Sequence, residues 1–136
     1  MKHLLIIISL LLLSSPVIGD NHKGETLYGW ENPSGRDDMD EPRWIWKGFG
    51  EKGTHPKYTG EVKNGKPNGF GYLIFPKGHK YVGSWYNGEE VEGTFTHSQG
   101  MKFVGSWNKG RWWNGTQHHI DGTITDLWVN GKFIQQ

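Results

Sequence analysis

Hydrophobic and polar positions alternate in short runs down the second half of the chain, and one five-residue run keeps returning. Tyr58-Thr59-Gly60-Glu61-Val62 is followed after 23 residues by Tyr81-Val82-Gly83-Ser84-Trp85, and after 22 more by Phe103-Val104-Gly105-Ser106-Trp107. Ile124-Thr125-Asp126-Leu127-Trp128 is a worn fourth copy. Alternation of period two is the mark of a strand with two different faces. Self-similarity at this spacing marks a stacked-repeat protein, in which no unit buries its apolar face alone.

Each unit reads as a β-hairpin. In the first, a strand over Tyr58–Val62 meets the two-residue turn Asn64-Gly65, and Gly71–Phe75 returns. Asn-Gly suits a type I′ turn because both residues tolerate positive φ. The pair recurs at Asn87-Gly88 and Asn130-Gly131, and more loosely as Asn108-Lys109-Gly110. On the opposite edge Pro76-Lys77-Gly78, Ser98-Gln99-Gly100 and Ile120-Asp121-Gly122 turn the chain into the next unit. Tyr58, Tyr81, Trp85, Phe103 and Trp107 then share one face as an aromatic column beside a line of glycines. Thr59, Glu61, Ser84, Ser106 and Thr125 take the other, wetter face.

Residues 20–56 read as a degenerate N-terminal capping segment. Trp44-Ile45-Trp46 and Leu27-Tyr28-Gly29-Trp30 are short strands, Asn32-Pro33-Ser34-Gly35 is a turn, and 36–42 is an acidic loop ended by Pro42. The repeats run 58–80, 81–102 and 103–123, with a partial unit at 124–136. No helix is expected beyond the leader. Residues 1–19 read as a signal peptide: Lys2, the apolar stretch Leu4 to Leu13, the break at Ser14-Ser15-Pro16, and small residues up to Gly19. That stretch is about half the ~20 residues of a membrane span, so export to the periplasm, outer envelope or medium is expected.

Composition narrows the picture. All eight Trp and no Cys stand in a chain with 21 Gly, so stability must come from ring packing and the hydrogen-bond ladder. After Gly19, basic and acidic residues balance at 14 each. Residues 57–136 hold nine basic against six acidic groups, too thin an excess for nucleic acid.

In these motifs the chain resembles the MORN (membrane occupation and recognition nexus) repeat. Tyr81-Val82-Gly83-Ser84-Trp85-Tyr86-Asn87-Gly88 carries the resemblance, with Gly93-Thr94-Phe95 and Gly100 behind it. Tyr58 to Gly78 carries it more fully through Gly69-Phe70-Gly71. It covers about 58–136. Units two and three depart by being one residue shorter, with Glu92 or Asn114 in place of a glycine. The resemblance implies a single-layer antiparallel sheet rolled into a groove, used for protein or membrane-associated scaffolding.

Candidate chemistry is sparse. His118 and His119 are adjacent on a strand and leave on opposite faces; His97 and His119 are a full repeat apart (~10 Å), too far to share a metal. Ser84 and Ser106 hold one repeat position, which marks lattice residues and not a nucleophile. Glu89, Glu90 and Glu92 read as a solvated hairpin edge before they read as paired catalytic carboxylates. The loop Asp37-Asp38-Met39-Asp40-Glu41 lacks the glycine and terminal Glu spacing of a calcium site. Arg111-Trp112-Trp113 falls at an edge loop, either as a membrane or sugar platform or as a lid on the column.

The expectation is therefore an all-β, non-enzymatic binding or scaffolding module with no metal or cofactor. Tyr58, Tyr81, Trp85, Phe103, Trp107 and Trp128 line its groove for a protein partner. Recognition of lipid or cell-surface glycan through the column and Trp112/Trp113 is the alternative. Open edge strands offer an edge-to-edge homodimer.

Overall fold

A computed structural model describes residues 24–37 and 41–135. The expected signal peptide lies outside the described residues. Ten strands form one antiparallel sheet: β1 (Glu25–Glu31), β2 (Trp44–Lys47), β3 (Lys57–Lys63), β4 (Lys66–Ile74), β5 (Lys80–Tyr86), β6 (Glu89–Thr96), β7 (Lys102–Asn108), β8 (Arg111–His118), β9 (Ile124–Val129) and β10 (Lys132–Gln135). From β3 to β10 every strand lies beside its sequence neighbours. At the other end β1 pairs with β3, and β2 takes the outer edge beyond β1.

Turn chemistry sets this order. Asn64 and Gly65 have φ of 53° and 72°, Asn87 and Gly88 49° and 86°, and Asn130 and Gly131 49° and 76°. These are the paired positive values that a type I′ turn demands and whose twist matches the flanking strands. The third turn corrects the looser reading. Asn108 belongs to β7 and pairs with Arg111, and Lys109-Gly110 alone makes the turn at 52° and 74°. The far-edge turns form as expected, each closed by two backbone bonds such as Phe75 N–H to His79 O and Gly78 N–H to Phe75 O, both 2.9 Å.

Three further expectations need correction. Pro33–Asp37 is a single helical turn, α1, where a plain turn and no helix were expected. Proline favours the first helical position, and the Asn32 side chain accepts the Ser34 N–H at 3.2 Å. The return strands also start earlier than Gly71: β4 begins at Lys66 directly after the turn. For the same reason Arg111-Trp112-Trp113 opens β8 and is not an edge loop, because a two-residue turn leaves no loop to occupy.

Register sorts the side chains. Gly60, Gly71, Gly83, Gly93, Gly105 and Gly115 are successive cross-strand partners and form one line from β3 to β8. The reason is steric: a Cβ on Gly71 would lie 2.3 Å from the Tyr58 hydroxyl, and one on Gly115 2.7 Å from the tip of Phe103. The rings lie back across this glycine line, so Tyr58, Tyr81 and Phe103 are 0%, 1% and 0% exposed. Leu27, Leu73 and Trp85 complete the buried apolar set.

One irregularity recurs. β-Bulges fall between Gly60 and Val62, Ser84 and Trp85, and Ser106 and Trp107. At the second, the Ser84 hydroxyl donates to Glu92 O at 3.1 Å and accepts the Glu92 N–H at 3.2 Å. Ser106 repeats this with Asn114 at 3.4 and 3.3 Å. In the first unit the Glu61 carboxylate accepts the Phe70 N–H instead. The serine at this position thus serves backbone groups that the bulge removes from the ladder.

Candidate aromatic binding face

The buried rings belong to a longer array. Trp46 packs edge-on against Tyr58 and Trp85 at 5.9 and 5.8 Å, and Tyr81 sits between Trp85 and Trp107 at 5.1 and 4.9 Å. Phe103 touches Trp107 at 5.1 Å and lies flat on Trp112 at 4.4 Å, with 2° between planes. Trp112, Trp128 and Phe133 continue the line at 5.5 and 5.6 Å. Nearly all these contacts are T-shaped, the arrangement that puts a positive ring edge on a negative ring face.

Burial divides the expected groove residues. Tyr58, Tyr81, Phe103 and Trp85 are buried and make a floor, while Trp107 and Trp128 are half-buried, with Trp46 and Trp112 beside them. A ligand on this face meets the half-buried rings. The result is a large aromatic cluster, in part open to solvent, that suits a binding surface.

The floor has a polar edge. The Tyr58 hydroxyl donates to Glu61 O at 2.6 Å, and that of Tyr81 lies 2.9 and 3.0 Å from Ser84 O and Glu92 O. Burial raises both hydroxyls far above the usual tyrosine range, helped by Glu61 beside Tyr58 and Glu90 beside Tyr81. Both therefore stay protonated and donating.

The face is strongly curved at its N-terminal end. Trp46 on β2 and the β5–β6 turn are four or more strand spacings apart, about 19 Å in a flat sheet at ~4.8 Å per strand. Yet the Trp46 indole N–H donates to Gly88 O at 3.0 Å. One side chain cannot span that gap, so the sheet bends toward the aromatic side and β2 lies over the start of the column.

Trp112 and Trp113 are committed within the chain. Trp112 pairs with Trp107 and stacks on Phe103, and Trp113 is the extra residue of its bulge, lying against Gly131. A Cβ on Gly131 would meet the Trp113 ring at 2.8 Å. Arg111 is exposed beside the turn.

Several participants escaped the sequence reading. Phe75, Phe95 and Trp44 form a second, looser ring line at 6.3 Å separations. Beside it His79 and His97 lie 4.3 Å apart, and each Nδ1 accepts a backbone N–H, from Ser98 at 3.0 Å and from Gln99 at 3.2 Å. Burial, His97 and Lys77 together lower the basicity of His79. His97 and His119 help line one shallow open depression of about 270 Å³, with Met101 and Ile120. Glu90, expected at a solvated edge, is half-buried opposite Trp85. Phe75 lies just past β4, in the place that His97 and His119 take in the next two units, and Phe95 pairs with Tyr81 as Leu73 pairs with Tyr58.

Among the described residues no group of three or more His, Cys, Asp and Glu is placed to hold a metal ion, and no helix there is long and apolar enough to cross a membrane. No known family model matches this chain, and no curated protein matches it.

Proposed function

We propose that this chain is a non-enzymatic binding or scaffolding module of the MORN-repeat type, exported to the cell envelope, whose stacked hairpins form a groove for a protein partner. The observation that carries this reading is the ring column: Tyr58, Tyr81 and Phe103 are buried, and the half-buried Trp46, Trp107 and Trp128 packed along the same line are held rigid with part of each ring open to solvent. Rigid aromatics that lose little entropy on binding are what protein interfaces use as anchors.

The test is retention of an envelope protein from the native source by the chain from residue 20, compared with a Trp107→Ala/Trp128→Ala variant shown to fold by circular dichroism. Retention of one defined protein by the parent and its loss in the variant supports the reading. Retention that ignores both rings refutes it, as does turnover of a substrate that a single substitution abolishes.

Lipid or glycan recognition is the weaker alternative, since Trp112 and Trp113 already pack on Phe103 and Gly131. Sedimentation with liposomes or peptidoglycan that depends on those two rings would restore it. Self-association through the open edges belongs to the same proposal: β10 is exposed along its whole length, and an unpaired edge invites a second strand.

A further inference from the structure

One position in the column changes character from unit to unit. The residue paired with the last inward residue of each leading strand is Pro67 opposite Val62, Glu90 opposite Trp85, and Trp112 opposite Trp107. In the third unit that seat holds an indole lying flat on Phe103. In the second, the seat beside the equivalent ring, Tyr81, holds a carboxylate. Glu90 is half-buried there, and Tyr81 is flanked by Trp85 and Trp107. The second unit thus puts a charged group where the third has a ring and the first a proline.

This carboxylate has little to neutralise it. No described residue forms an ion pair with Glu90 within 4.0 Å. The nearest cation that acts on it is Arg43, brought near by the curl of β2, but that guanidinium lies 4.7 Å over the Trp44 ring. Burial pushes the Glu90 carboxyl up, against its own backbone N–H and Arg43, with Glu89 adding repulsion. Ring faces carry negative potential, as the carboxylate does, and both attract a cation.

We infer that Glu90 marks the seat for a basic side chain of the partner, an ammonium or guanidinium group held against the carboxylate and the half-open ring of Trp107. This rests on the binding-module reading and narrows it to a partner that presents lysine or arginine. The ammonium of a lysine donates a charge-assisted hydrogen bond to Glu90 and makes a cation–π contact with an indole in one step. An anionic group meets repulsion from both.

The test uses the full chain with ¹⁵N-labelled indoles and two peptides, Ac-Gly-Lys-Gly-amide and the same peptide acetylated on the lysine Nζ. The lysine peptide should shift the Trp107 indole signal saturably, and the acetylated one should bind about tenfold more weakly. Glu90→Gln, with an unchanged circular dichroism spectrum, should lose the same factor. Equal binding of the two peptides, undiminished binding by Glu90→Gln, or no saturable shift would each overturn the inference. Binding that emerges only in Arg43→Ala would also overturn it, by making Arg43 the resident cation. If Glu90→Gln still retains the envelope partner while Trp107→Ala/Trp128→Ala does not, the cation seat fails and the binding module stands. If neither variant affects retention, the module reading itself fails.

Discussion

Removing the Phe103 ring should cost more than any change on the opposite face of the same strand. Phe103 is 0% exposed and packs on Trp107 at 5.1 Å and Trp112 at 4.4 Å. A buried ring of ~150–250 Å² at ~25 cal/mol per Å² corresponds to about 4–6 kcal/mol of transfer free energy. Measured ring-to-alanine changes in cores fall at about 3–5 kcal/mol, so Phe103→Ala should lose about 4 kcal/mol. Its neighbour Val104 points outward and is 42% exposed; Val104→Ala should lose below ~1 kcal/mol, as exposed sites do. Urea unfolding followed by far-ultraviolet circular dichroism measures both. At ~4–8 °C per kcal/mol for a domain of this size, the melting temperature should fall by at least 15 °C in the first variant and only slightly in the second. If Phe103→Ala loses less than about 1 kcal/mol, or no more than Val104→Ala, the column is not the core. Its rings would then be free surface, and the division into buried floor and half-open rings would fail.

Phe103→Tyr should stabilise by about 0.5–1.5 kcal/mol, because a hydroxyl there can reach Ser106 O as those of Tyr58 and Tyr81 reach Glu61 O and Ser84 O; a loss measured in urea would show that the space is closed. Gly105→Ala should unfold the chain or cost more than ~3 kcal/mol, since the new methyl would lie 2.0 Å from Asn114 O and 2.6 Å from Gly115 Cα, both backbone; a soluble variant with an unchanged melting curve would contradict the glycine line. Stability should fall on acidification. His79 is less basic folded than unfolded, so the unfolded chain binds the extra proton and stability is lost as pH drops from about 6.5 through the folded value. The double variant His79→Gln/His97→Gln should flatten the melting temperature between about pH 7 and 5, and an unchanged slope would place the titration elsewhere.

The antiparallel sheet, its turns and its two faces were legible because each rests on local chemistry repeated several times. Asn64-Gly65, Asn87-Gly88 and Asn130-Gly131 announce their turns, and alternation then fixes which rings share a face. Where one residue broke the repeat, the reading slipped: at Asn108-Lys109-Gly110 a lysine takes the left-handed position that asparagine fills elsewhere, and the turn was drawn one residue too long. What stayed hidden was long-range. The bond from Trp46 to Gly88 joins residues 42 apart, and nothing in the Trp44-Ile45-Trp46 run says that β2 lies outside β1 or that the sheet curls back over its own column. Ring burial was hidden for the same reason. Alternation places Tyr58, Tyr81 and Phe103 on the face of Trp107 and Trp128, but only packing sinks the first three and leaves the other two half-open.

That separation explains which positions repeat and which vary. Residues that hold the lattice are nearly interchangeable between units: the inward aromatic at 58, 81 and 103, the glycines behind it, and the bulge group at 61, 84 and 106. Each satisfies a backbone demand that every unit shares, whether space for a ring over the strand or a partner for the unpaired groups of a bulge. The seat filled by Pro67, Glu90 and Trp112 answers to no such demand, since the ladder closes equally well around all three. Packing alone would favour an apolar residue there, as two of the three units have. A half-buried carboxylate at the middle seat works against stability, because burial of the charged form is unfavourable without a partner. A regular array that tolerates one such position, at the curved end where the rings are densest, has a local cost that a bound cation would offset.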